Sequence, residues 1–248
     1  MPQYITEVLE RAPQGRTQPY VCRADDGEVY FVKGKIATRR GLVCEWVCAQ
    51  LAKALGLPVA PFALLEVSDE LMAASKAGAI DLSDLGVGTV FGSQRATGVE
   101  LTARLLTEVP FELQQGLAVY DWWVRNADRC LTVLGGNVNL LWNESNAPHL
   151  VVIDHNLAFD PDFLAEDFHR THVFADTFSD LCSDALARDE WRGKLVEALK
   201  AWDSICGTIP VSWGFLDTEL TLPAPVNLAD MRKTLARCES ETFWNLAP

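Results

Sequence analysis

Short apolar segments within residues 4–11 and 19–33 read as three strands, with Asp26-Gly27 turning the second (PYVCRA) into the third (EVYFVK). The loop APQGRTQ joins the first two. From about Thr38 to Leu55 the apolar period becomes that of a helix, which Gly56 and then Pro58 stop before PFALLEV returns to strand. A short helix over 69–75 and an extended GVGTVFGSQ follow. Leu113, Leu117, Tyr120 and Val124 then fall on one stripe of a helix that ends near Asn126. Two short strands, NLLW and HLVVID, flank an Asn-rich turn, and DEWRGKLVEALKAWDSI reads as one amphipathic helix. The tail from Asp217 to Pro248 reads as a Pro-containing loop and one more helix. Strands gather early and helices late, which predicts an α+β chain: a sheet with one long helix over 1–95 and a mainly helical part over 96–248.

With 248 residues, 49% of them hydrophobic, the chain can bury a core as one large domain or as two small lobes sharing a cleft. Charge narrows the function classes. Lys plus Arg is 21 and Asp plus Glu is 34, giving 21 − 34 = −13, and no basic run interrupts the acidic balance, so no nucleic-acid partner is expected. No apolar run approaches the ~18 residues that span a bilayer, and MPQYITEVLERAPQGR lacks the apolar stretch of a signal peptide, so no membrane insertion and a cytoplasmic location are expected. Seven Cys without CxxC spacing point to reduced thiols, with Cys44 and Cys48 as core residues. HxxH at His169 and His172 has no second pair of ligands beside it.

Asp128, Asn139 and Asp154 stand out because residues that bury badly sit between apolar segments: in the loop after a core helix, at the start of one short strand and at the end of the next. A hairpin brings the last two side by side. Hard oxygen donors of this kind suit a magnesium ion that keeps several waters and shares a polyphosphate, leaving Asp128 to accept a hydroxyl proton. As structural residues, the same side chains would cap turns and supply left-handed backbone beside Gly135-Gly136. Lys33 closes the strand VYFVKGK, and Glu45 shares a helical stripe with Leu42, Ala49 and Ala52. A carboxylate on an apolar face wants a cation, and Lys33 from the adjacent strand supplies one that can also reach nucleotide phosphates.

In order along the chain, a strand Lys, a helix Glu, an Asp with a downstream Asn, and an Asp ending the next strand resemble the protein-kinase-like fold. More closely, PQGRTQPY, VYFVKGK, CEWVCAQLAKALGLPV, DWWVRNADR, GGNVNLLW and VVIDHNLAFD resemble the blocks of the HipA-like kinases in their short form with the kinase core only. NADR and IDHNLAF are also similar to segments of type II phosphatidylinositol kinases. The resemblance implies a two-lobed fold, with 1–95 as the nucleotide-binding lobe and 96–248 as the helical lobe that carries the catalytic and metal-binding loops. It implies ATP and Mg²⁺ as cofactors and transfer of the γ-phosphate to a hydroxyl acceptor, of which protein Ser/Thr is one class and lipids or small molecules are others. Lys33 would contact the α- and β-phosphates, Glu45 would orient it, and Asp128 would be the base. Asn139 and Asp154 would hold the metal, with Asn137 as the alternative to Asn139. Gly15 and Gln18 would belong to the loop over the phosphates, and Phe91, Gly92 and Ser93 to a stretch that meets adenine through its backbone. The chain departs from the kinase pattern in several places. Asp128 and Asn139 are eleven residues apart where protein kinases use five, the nucleotide loop has one Gly, and Asp154-His155-Asn156 stands where kinases have DFG. The APQGRTQ loop has no Ser to autophosphorylate, and the extra N-terminal domain of the full-length toxins is unmatched, so neither control is carried over. A scaffold that binds nucleotide and transfers nothing is the alternative function; a metal hydrolase using Asp128, Asp154 and His155 would need further ligands.

Overall fold

The computed structural model describes residues 3–13, 17–75, 80–133, 135–145, 147 and 149–245. The chain is mixed α+β and divides into two compact units, 1–46 with 60–96 and 209–226, and 47–59 with 97–208 and 227–248.

In the first unit, β1 (Gln3–Arg11), β2 (Tyr20–Ala24) and β3 (Val29–Val32) precede α1 (Thr38–Ala54), which belongs to this unit as far as Trp46 and to the second from Val47, and β4 (Phe62–Val67), α2 (Asp69–Ser75) and β5 (Gly88–Gln94) follow it. The strands close in the order β1-β2-β3-β5-β4, antiparallel except for the parallel pairing of β1 with β4. Ile5, Tyr20, Cys22, Val32, Leu65 and Val90 fill the interior. Asp26-Gly27 turns the chain as expected, within a loop where the Gly27 N–H donates to Ala24 O and the Ala24 N–H to Glu28 O. Gly56, at φ 75°, ends α1: its N–H donates to Lys53 O and that of Leu57 to Ala52 O, the double bond of a Schellman motif. The expected stripe on α1 understates its burial, because residues 41–49 are buried without a break. LVCEWVCA is apolar all round apart from Glu45, and such a helix is covered on every side. Segment 209–226 joins this unit through Trp213 Nε1, which donates to Thr89 O at 2.9 Å, and Arg39 Nε, which donates to Phe215 O at 3.1 Å.

In the second unit, β6 (Val99–Glu100) precedes α3 (Phe111–Trp123), a hairpin of β7 (Cys130–Thr132) and β8 (Gly135–Asn137), and the strands β9 (Leu140–Trp142) and β10 (Leu150–Val152). The order β10-β9-β6 makes a small antiparallel sheet. Helices α4 (Ala165–Thr171), α5 (Ala175–Ser183), α6 (Ala185–Leu199), α7 (Trp202–Gly207) and α8 (Leu228–Ala236) complete it. The last two turns of α3, from Gly116 to Trp123, are wholly buried. Gly116 permits this: a Cβ there would come within 2.9 Å of the Trp191 ring and 3.2 Å of Leu57. The single helix read over 189–205 is two, starting earlier at Ala185, where Asp184 accepts the Leu186 and Ala187 N–H groups. It breaks at Lys200 and Ala201, whose N–H groups donate three residues back to Glu197 and Ala198. No Gly or Pro marks that break, so nothing in the apolar period announces it.

Candidate functional site

In the first unit, Lys33 follows β3 directly, and its N–H donates to Phe91 O at 3.3 Å. The strand pairing fixes the direction of the lysine, and its Nζ donates to Glu45 Oε1 on α1. Lys33 is 7% exposed and Glu45 1%, so the pair is desolvated and neither charge can be removed without stranding the other. Phe91, Gly92 and Ser93 lie in β5 between two neighbours: Gly92 pairs with Val32 on one edge and Ala63 on the other, and Ser93 with Phe31 and Phe62. These ladders engage the backbone of the stretch, and the Phe91 ring is buried, stacked on Phe62 with centroids 6.1 Å apart. Gln18 adopts a left-handed φ of 42°, and its carbonyl accepts from Arg11 Nε at 3.3 Å. Gly15 lies outside the described residues.

In the second unit, the chain leaves α3 through Arg125, at φ 51°, and the Asp128 N–H donates to Asn126 Oδ1 at 3.2 Å. The β7–β8 hairpin then turns back, pairing Cys130 with Asn137. This inserted hairpin accounts for the eleven-residue spacing, because it returns the chain to its starting point before β9 begins. Asn137 Nδ2 and Asn139 Nδ2 both donate to Asp128 Oδ2, at 2.6 and 3.0 Å. Both amides therefore meet the candidate base, but they differ in setting: Asn137 is exposed, whereas Asn139 is 8% exposed. The pairing of Leu140 with Val152 places Asn139 opposite Ile153, whose N–H donates to Asn139 O at 3.2 Å, so Asp154 is the next residue past the end of the ladder. Asn139 at φ 50° and Asp154 at φ 59° are both left-handed. The chain then folds back, with the Phe159 N–H donating to Val124 O at 2.6 Å and the Asp160 N–H to Arg125 O at 3.2 Å. His155 is buried and meets the Tyr120 ring edge-on.

Of the seven described non-glycine residues with positive φ, Arg125, Asn139, Asp154 and Phe159 fall in these loops. Backbone held in this sparsely populated region concentrates where surrounding structure over-determines it, and such places are enriched in functional sites. Asn139 and Asp154 carry side-chain oxygens of the hard kind that Mg²⁺ prefers. Among the described residues no group of three His, Cys, Asp or Glu gathers as a metal cluster, and the HxxH histidines are engaged elsewhere, His172 on Asp121 and His169 between Trp122 and Phe178.

Missed by the sequence reading is the support behind these loops, the buried Asp121, Asn126, Arg129 and His172. Three of them stand in DWWVRNADR, but nothing in that string says which of its polar residues face inward. No helix among the described residues is long and apolar enough to cross a membrane. A family model described as HipA-like kinase matches residues 5–247, nearly the whole chain. No curated protein matches it.

Proposed function

The chain belongs to the HipA-like kinase family, and from that premise we propose that it is an ATP- and Mg²⁺-dependent phosphotransferase that moves the γ-phosphate to a hydroxyl acceptor. In this reading, residues 1–95 are the nucleotide-binding lobe and 96–248 the helical lobe of a two-lobed protein-kinase-like fold. The observation that carries the proposal is the desolvated Lys33–Glu45 pair at the end of a central strand. Glu45 holds the ammonium in one place, and a fixed cation there serves the α- and β-phosphates of a nucleotide. Gly15 and Gln18 belong to the loop over those phosphates, and Phe91, Gly92 and Ser93 to the stretch that meets adenine.

Asn139 and Asp154 would hold Mg²⁺, which when bound neutralises charge on the phosphates. The amide nitrogen of Asn139 donates to Asp128, so its side-chain oxygen would be the atom that meets the cation; Asn137 is the alternative ligand. Asp128 accepts the proton of the acceptor hydroxyl. The two amides on Oδ2 keep its carboxylate from rotating, so that Oδ1 is presented to the acceptor.

MgATP should raise the melting temperature: at a nucleotide concentration ~100 times the dissociation constant, linkage supplies roughly 2.7 kcal/mol. Phosphate released slowly to water should accompany binding. A melting temperature unmoved by millimolar MgATP would remove the proposal. A shift without phosphate release under any condition would favour a nucleotide-binding scaffold in its place.

A further inference from the structure

Behind the loop of Asp128 lies a charge for which the proposed reaction has no use. Asp121, near the C-terminal end of α3, has no solvent exposure, and neither have Arg129 and Asn126. A buried carboxylate needs full compensation, and both oxygens have it. Oδ2 accepts from Arg129 Nε at 2.7 Å and from His172 Nε2 at 3.0 Å, while Oδ1 accepts from Asn126 Nδ2 at 2.8 Å. His172 Nδ1 in turn accepts the Phe174 N–H at 3.2 Å. A neutral imidazole with its proton on Nε2 satisfies both neighbours, whereas a protonated ring would set one N–H against another.

The partners of Asp121 continue toward the site by separate arms. Asn126 Oδ1 accepts the Asp128 N–H at 3.2 Å. Arg129 Nη1 donates to Asn139 O at 2.7 Å and to Val138 O at 3.3 Å. One arm ends on the backbone of the proposed base and the other on the backbone of the proposed metal ligand, which sits in a left-handed conformation that needs outside restraint. Stability alone does not ask for such a network, since apolar residues of similar volume commonly stabilise as well as a buried ion pair.

We infer that Asp121 is a positioning residue that sets Asp128 through Asn126 and Asn139 through Arg129, so that the first arm acts on turnover alone and the second on MgATP affinity and, through the Asn139 amide on Asp128, on turnover as well. The inference rests on the kinase reading of Asp128 and Asn139. Asn126→Ala should lower phosphate release from MgATP roughly 10–100-fold while the MgATP dissociation constant stays within about twofold. Arg129→Lys keeps a positive charge for Asp121 but loses the fork that reaches the two carbonyls, so it should raise the MgATP dissociation constant by a similar roughly 10–100-fold. Leu195→Ala, a core truncation on α6 outside the network, gives the reference for lost stability and should leave both quantities unchanged.

Parallel loss of turnover and affinity in both arm variants, or wild-type values in both, overturns the inference and leaves the kinase reading standing, provided the wild type binds MgATP and releases phosphate. A wild type that does neither removes the reading and this inference with it. Hydrogen exchange on the wild-type protein needs no variant to fold: the Asp128 amide, bonded to buried Asn126, should exchange slowly. Exchange at the rate of an open loop overturns the Asn126 arm.

Discussion

Lys33 and Glu45 in the first unit and Asp128 with Asn139 in the second are both polar sets placed against apolar structure, but they are held by different means. The first is a pair: a strand aims the lysine, a helix aims the glutamate, and each is the other's compensation. The second stands on a further layer, in which Asn126 and Arg129, both bonded to Asp121 with His172 beside them, hold backbone groups and leave side chains for chemistry. The difference teaches how each set tolerates change. A pair fails when one partner goes, whereas a supported loop can keep every functional side chain and still lose its geometry.

Asp121→Ala leaves Arg129 buried and uncompensated, which should cost about 3–5 kcal/mol in denaturant unfolding. Glu45→Gln keeps a hydrogen-bond acceptor for Lys33 and should cost less, about 1–3 kcal/mol. Equal losses would mean that the support layer is no more demanding than the pair. Next comes coupling: in a double-mutant cycle, Lys33→Ala and Glu45→Gln should show an interaction of about 0.5–3 kcal/mol in MgATP affinity. Additive effects would mean that the pair does not act as a unit on nucleotide.

The smallest expected effect is on pH. Burial alone would raise the Asp121 carboxyl, but Arg129 and His172 hold it down at about 2. Burial also lowers His172 from its ordinary value, although Asp121 pulls the other way. Both folded values lie below the unfolded ones, so both groups contribute stability that is present at neutral pH and lost on acidification. His172 should begin to give it up below about pH 6.5 and Asp121 between about pH 4 and 2. Unfolding free energies at pH 7, 5 and 3 should fall in that order, and Asp121→Asn should flatten the last step. A flat profile in the wild type would mean that the network carries no net proton linkage.

The first unit was legible because its signals are local: short apolar segments bounded by turn residues for its strands, and a carboxylate on an apolar stripe for the Lys33–Glu45 pair. In the second unit Asp128, Asn137 and Asn139 were legible as polar residues out of place, and the structure brings all three together. What joins them was not. β8 is Gly-Gly-Asn, with no apolar residue to mark it as a strand, so the β7–β8 hairpin stayed hidden and the eleven-residue spacing looked like a departure. The bonds from Asp121 to His172 span fifty-one positions, and a pairing at that distance leaves no mark on the pattern at either end. The break between α6 and α7 likewise comes from tight hydrogen bonding without a residue that forces it.

The division of labour between Asp128 and Asp154 is the centre of the account, and isothermal titration with MgATP alongside a γ-phosphate release assay on Asp128→Asn and Asp154→Asn tests it most directly. Asp154→Asn takes one negative charge from the proposed metal site and should weaken MgATP binding. Asp128→Asn should bind MgATP nearly as the wild type does and release phosphate ~10²-fold more slowly or worse, because only the proton acceptor is gone. Equal losses of MgATP affinity in the two variants, or undiminished turnover in Asp128→Asn, would contradict it.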